Sequence, residues 1–168
     1  MQRTMTDVEL SVYTRHIKNP SEDFSSFVHD YITGSTWIRS RGEEDVSIWS
    51  KLKGEELKIA KQIILDELQT ILDPSYIRAV GFFRDDKAIP ILKSIIETCP
   101  EKFVAEKLLA AKVLYDWFGY DDYISMLITA CKSGDEIVYN YFKYSINQFI
   151  SGLSEIDKAK VMHSLERK

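Results

Sequence analysis

The sequence predicts an all-α chain, a short α-solenoid of stacked antiparallel helix pairs preceded by a helical N-terminal cap. Three observations lead there. Apolar residues recur at steps of three and four, with no alternating strand pattern in competition. Only 7 Gly and 4 Pro interrupt 168 residues, and every Pro stands where a helix begins. A helix-turn-helix pattern of about 35 residues repeats in the second half of the chain. With 45% hydrophobic and 29% charged residues, a chain this long buries about 70% of its unfolded surface. One domain is therefore expected to be stable without disulfides or a structural metal.

Along the chain, residues 7–17 and 21–33 read as helices. Asn19-Pro20-Ser21-Glu22 predicts the second start, with Asn19 at the N-cap, Pro20 at the first helical position and a carboxylate at the third. Gly34 to Ser50, with Trp37, Gly42, Glu43-Glu44-Asp45 and Trp49, reads as a loop holding at most one short helix. Leu57, Ala60, Ile63, Ile64, Leu68 and Ile71 then form the apolar stripe of an amphipathic helix, with Lys58, Lys61, Gln62, Asp66 and Glu67 on its other face. Further helices are expected near 74–83, 87–98, 101–118, 122–132, 136–150 and 155–166. Asp73-Pro74 marks the first of these, and Asp85 or Asp86 opens the second with Pro90 in its first turn. Thr98-Cys99-Pro100-Glu101 has the form of a capping box, and Ser154 with Asp157 marks the last start. A single compact domain follows, with residues 54–168 as the repeats. Residues 1–53, including Arg39 and Arg41, either cap the end of the stack or complete its binding surface.

The repeat appears when 76–99 is laid over 111–134. Ala79, Phe82 and Phe83 fall on Leu114, Trp117 and Phe118; Ile91, Leu92, Ile95 and Ile96 fall on Met126, Leu127, Ala130 and Cys131. Asp85-Asp86 and Asp121-Asp122 both precede a second helix, and a looser third copy runs from 136–150 into Ala159, Val161 and Leu165. Such pairs cannot bury their apolar faces alone and must stack. An irregular bundle of evenly spaced helices is the alternative.

The segment Arg84-Asp85-Asp86-Lys87-Ala88-Ile89-Pro90-Ile91-Leu92, after a helix ending Ala79-Val80-Gly81-Phe82-Phe83, resembles the inter-helix turn and second helix of HEAT-like repeats. Trp49-Ser50-Lys51-Leu52-Lys53-Gly54-Glu55-Glu56 followed by Ala60 resembles the lead-in to the first helix of small bacterial HEAT-like proteins. The resemblance covers about residues 49–166, and the spacing is shorter than the usual ~40–47 residues of a HEAT unit. It implies a scaffold that binds macromolecules through a curved face, with no catalytic residues to carry over. Small HEAT-like proteins of this kind include immunity proteins that neutralise toxins, often nucleases with basic clefts.

Charge and motifs narrow the chemistry. Against 22 basic residues stand 26 acidic ones, and a net charge of −4 opposes the phosphate attraction behind nonspecific nucleic-acid binding. No nucleic-acid partner is expected. The longest apolar runs fall far short of the ~20 residues of a membrane span, and no secretory h-region is visible, so a cytoplasmic protein without membrane contact is expected. His16, His29 and His163 have Tyr13, Ser26 and Lys160 three residues earlier, so no E-x-x-H helix exists, and no metal or other cofactor is expected. No nucleophile elbow or phosphate-cradling glycine motif occurs. Cys131 takes an apolar repeat position, and Cys99 has no neighbouring histidine, so neither reads as a catalytic thiol.

What remains points to binding a protein. Acidic pairs at helix starts complement the macrodipole, yet Asp85, Asp86, Asp121 and Asp122 would line one edge of a solenoid and steer a basic partner. On the 136–150 helix, Asn140, Lys143, Tyr144 and Asn147 form an outward strip flanked by Tyr139, which Tyr120 and Tyr123 would extend. The expected function is non-catalytic: an immunity protein neutralising a toxin through this acidic, tyrosine-bearing face. The alternative is an assembly scaffold or regulatory subunit of another enzyme. A DNA-repair glycosylase on HEAT-like repeats would need a basic face, and 54–168 carries 15 basic against 18 acidic residues.

Overall fold

The computed structural model describes residues 4–34, 39, 42–120, 122–132 and 150–166. Every regular element among them is helical, in agreement with the all-α expectation. Among the described residues, no helix is long and apolar enough to cross a membrane. Contacts divide the chain into two units, Met1–Leu92 and Lys93–Lys168.

In the first unit, α1 (Asp7–Thr14) starts at a capping box. Thr6 Oγ1 accepts from Glu9 N, and Glu9 Oε2 accepts from Thr6 N at 2.8 Å. The next helix, α2 (Glu22–Phe27), has Ser21 as its N-cap, displacing the expected Asn19 by two residues. The reason lies in a tertiary contact. Ser21 Oγ accepts from Phe24 N, while Ser21 N and Oγ donate to the two carboxylate oxygens of Glu56 at 2.8 and 2.6 Å.

The stretch expected as one helix to 33 widens into a π-helical turn, Val28–Thr33. It delivers Tyr31 and Ile32 into the core beside Phe24 and Phe27. One short helix, α3 (Ile48–Lys51), does lie in the loop region, and it buries Ile48 and Trp49. The amphipathic helix α4 (Gly54–Leu68) buries Ala60, Ile63, Ile64, Leu65 and Leu68. Ile71 lies beyond its end. In α5 (Pro74–Phe83) the Asp73-Pro74 signal holds: Asp73 Oδ1 accepts from Ser75 N at 2.9 Å, and Pro74 takes the first helical position. Packing joins α4 to α5, α1 and α2 to α4, and α2 and α5 to α3. Residues 1–53 thus supply Phe24, Phe27, Tyr31, Ile32, Ile48, Trp49 and Leu52 to the core of this unit.

The division falls inside α6 (Ala88–Thr98). Its start follows the sequence reading: Asp85 Oδ1 accepts from Lys87 N at 3.0 Å, and the Asp85 carbonyl accepts from Ala88 N at 2.9 Å. Thr98, expected ahead of the next helix, is the last residue of α6. Thr98 Oγ1 donates back to the Ser94 carbonyl at 2.7 Å, closing α6. A 3-10 turn, Glu101–Phe103, leads instead into α7 (Val104–Phe118), whose N-cap Phe103 has no side-chain capping bond.

In the second unit α8 (Asp122–Lys132) packs on both α7 and α9 (Glu155–Glu166). Its core joins Leu108, Ala111, Tyr123, Ile124, Ile150, Leu153 and Val161. Ser154 opens α9 as expected, accepting from Asp157 N at 3.2 Å. Apart from Ile150, the helix expected over 136–150 lies outside the described residues.

Candidate functional site

The described part of the expected partner surface centres on the turn after α5. The last residue of α5, Phe83, is buried, whereas Phe82 is 51% exposed. Arg84 then takes left-handed backbone, φ 47°, ψ 67°, and its N donates to the Val80 carbonyl at 3.2 Å. Asp85 is half-buried and occupied by the Lys87 N–H; Asp86 is exposed, as are Arg84 and Lys87. The turn therefore offers an aromatic ring followed by two carboxylates between two cations.

The second expected turn follows α7. Gly119 takes the left-handed position there, φ 69°, ψ 23°. Tyr120 is half-buried, and Lys93 Nζ sits 4.1 Å from its ring centroid, so its face already holds a cation. Tyr123 is a correction: it is 1% exposed. Its ring lies 5.6 Å from that of Tyr115 and packs with Leu108, Ala111 and Val161. The apolar step from Tyr123 to Ile124 faces the α7–α9 core, so Tyr123 cannot line a partner surface. Asp122 is the first residue of α8. Asp121, Tyr139, Asn140, Lys143, Tyr144 and Asn147 lie outside the described residues.

Sequence reasoning missed a buried polar network in the first unit. Arg39 is fully buried, and its Nη1 donates to the carbonyls of Tyr31 at 2.7 Å and Ile32 at 3.2 Å, at the end of the π-helical turn. Its Nε lies 3.3 Å from Asp73 Oδ2, an ion pair without the alignment of a hydrogen bond. Arg78 extends the network: Nε donates to Glu44 Oε1 at 2.7 Å and Nη2 to the Arg39 carbonyl at 2.8 Å. Tyr76 Oη donates to the Tyr31 carbonyl at 3.1 Å, and Trp49 Nε1 to Tyr31 Oη at 3.0 Å. Burial holds the Tyr31 and Tyr76 phenols well above their ordinary range. Phe24, Phe27, Tyr31, Trp49 and Phe83 enclose this network as a chain of ring contacts.

Arg39, Asp73, Tyr31 and Tyr76 are all closed off from solvent, so these four side chains serve the packing of the fold, while Arg78 is partly exposed. No local signal could have found it. Asp73 announces itself as a helix cap, but its pairing with a residue more than thirty positions earlier obeys no helical period.

Among the described residues no group of three or more His, Cys, Asp or Glu is placed to hold a metal ion. The class that fold and site define is an all-helical chain with an aromatic, charged turn at its surface. Compared with known proteins, the chain matches no family model, no curated protein and no solved structure.

Proposed function

We propose that this chain is a non-catalytic protein-binding module, a short HEAT-like solenoid that binds and neutralises a toxin, a basic nuclease domain being the partner class it fits. The observation that carries the reading is the turn after α5, where half-exposed Phe82 stands beside Asp85 and exposed Asp86. An exposed aromatic ring with charged residues at its rim matches the anatomy of a protein interface, an anchor surrounded by a polar rim. The net charge of −4 supports a basic partner. The repeat reading draws support from α5 and α7, which end at Phe83 and Phe118 and are each followed by a left-handed residue. Within the first unit the proposed contact residues are those of the Asp85-Asp86 turn; within the second unit, taken by itself, they are the Tyr120-Asp121-Asp122 turn and the strip Tyr139, Asn140, Lys143, Tyr144 and Asn147.

Co-expression with the product of the adjacent gene tests the reading. A stoichiometric complex in which a toxic partner is silenced is the expected outcome. A partner that stays active in the complex would replace neutralisation by scaffolding, and the lack of any complex would contradict the proposal.

A further inference from the structure

We infer that the enclosed polar network of the first unit is an internal water site, with ordered water bound at Arg39 Nη2 and at Glu44 Oε2. The inference concerns the interior of Met1–Leu92 and stands apart from the protein-binding reading above.

The argument begins with donors and acceptors. A guanidinium carries N–H donors on Nε, Nη1 and Nη2, and a carboxylate accepts at both oxygens. In Arg39, Nη1 donates to the Tyr31 and Ile32 carbonyls at 2.7 and 3.2 Å, and Nε faces Asp73 Oδ2 at 3.3 Å. Among the described residues Nη2 has no hydrogen-bond partner, although the side chain is fully buried. Glu44 repeats the pattern with the opposite polarity. Its Oε1 accepts from Arg78 Nε at 2.7 Å, while Oε2, on an equally buried side chain, has no donor among the described residues. An unpaired buried donor or acceptor costs the full desolvation of that group, and the cost is larger for a charged one. Arg78 ties the two residues together, because its Nη2 donates to the Arg39 carbonyl at 2.8 Å while its Nε holds Glu44.

Charge decides the ligand. Arg39 is matched by Asp73, and Glu44 by Arg78. An anion at Arg39 Nη2 would share its guanidinium with the Asp73 carboxylate, and a cation at Glu44 Oε2 would share its carboxylate with Arg78. Either ion would be buried without a counter-charge of its own, which is costly. Water accepts from the first atom and donates to the second, and it brings no charge. Globular proteins hold one buried water per ~27 residues, bound to polar groups that the chain itself leaves unsatisfied.

A high-resolution crystal structure of the full chain tests the site, with bromide and rubidium soaks as probes for ions. Water density about 2.7–3.2 Å from both atoms is expected, with no anomalous signal at either. Either atom without water, a protein group bonded to it instead, or an anomalous ion peak in its place would overturn the inference. In solution, Glu44→Met removes one of the two water ligands and leaves Arg78 its partial access to solvent. Oxygen-17 relaxation dispersion is expected to count fewer long-lived waters in that variant than in the wild type, and an equal count would contradict the site. If the variant fails to fold, the wild-type density alone decides.

Discussion

The two units of the chain solve the same packing problem with different materials. In Met1–Leu92 the core encloses charge: Arg39 with Asp73 is fully buried, and buried Glu44 pairs with the partly exposed Arg78, next to the rings of Phe24, Phe27, Tyr31, Trp49 and Phe83. Among the described residues of Lys93–Lys168 the core joins Leu108, Ala111, Ile124, Ile150, Leu153 and Val161 around the Tyr123 ring, and the one buried charged side chain there is Lys107 on α7. Its polar tie sits at the edge, where Asp157 accepts from Tyr115 Oη, from Ser154 Oγ at 2.8 Å and from Lys160 Nζ at 3.2 Å. Enclosed charges fix one arrangement and are costly to break, whereas apolar burial and screened edge contacts fail gradually.

The sharpest way to break this contrast is to unpair the first unit. Arg39→Met leaves Asp73 buried without its cation and is expected to destabilise by about 3–5 kcal/mol in urea unfolding. The double variant Arg39→Met/Asp73→Asn keeps an acceptor for Ser75 N and recovers the part of that loss due to the unpaired Asp73 charge, while the Tyr31 and Ile32 carbonyls still miss the Arg39 donor. Among the described residues, Arg39 Nη2 and Glu44 Oε2 find no hydrogen-bond partner, which makes that recovery larger. Next in size, Leu108→Ala in the second unit is expected to cost about 2–5 kcal/mol through lost transfer energy and a cavity, with no partner variant to rescue it.

Titration sharpens the same comparison. Hydrogen bonds from Tyr115, Ser154 and Lys160 hold the Asp157 carboxyl below its usual range. It therefore adds stability above the unfolded carboxylate range near pH ~4 and loses it as pH falls through the lowered value. Tyr115→Phe is expected to weaken this acid-side dependence. Burial first, then the hydrogen bond to Asp66, pushes the Tyr13 phenol up to about 12. Burial likewise raises Tyr31 and Tyr76. These groups stabilise below the unfolded phenol value of ~10, and the contribution is lost as pH rises through the raised values. Tyr115 is the corresponding raised phenol of the second unit, its shift coming first from Asp157. Alkaline denaturation followed by tyrosinate absorbance is thus expected to open the first unit ahead of the second. The smallest effect belongs to the surface: Asp86→Lys is expected to change stability by less than ~0.5 kcal/mol.

Local chemistry was legible in the sequence and tertiary chemistry was not. Asp73-Pro74 and Ser154 with Asp157 mark helix starts because a cap acts within three residues. Asn19 lost the cap to Ser21 because Glu56, on another helix, takes both Ser21 donors. Thr98 closes α6 rather than opening α7, since a hydroxyl can serve either neighbouring helix and its sequence does not say which. The Asp85-Asp86 turn emerged where the pattern put it. Tyr123 did not face solvent, because its helix packs against α7 and α9 with a face that includes the ring. Phe82, an apolar repeat position on paper, is the half-exposed residue of its pair with Phe83.

The central claim is that charge enclosed in the first unit serves the fold, while the turn after α5 is left for a partner. Hydrogen exchange of the chain alone and in complex with the adjacent-gene product tests it most directly. Slowed exchange over residues 81–89 on binding, with the protection of α4 unchanged, is the expected result. A complex that protects other segments and leaves 81–89 exchanging as in the free chain would contradict the claim.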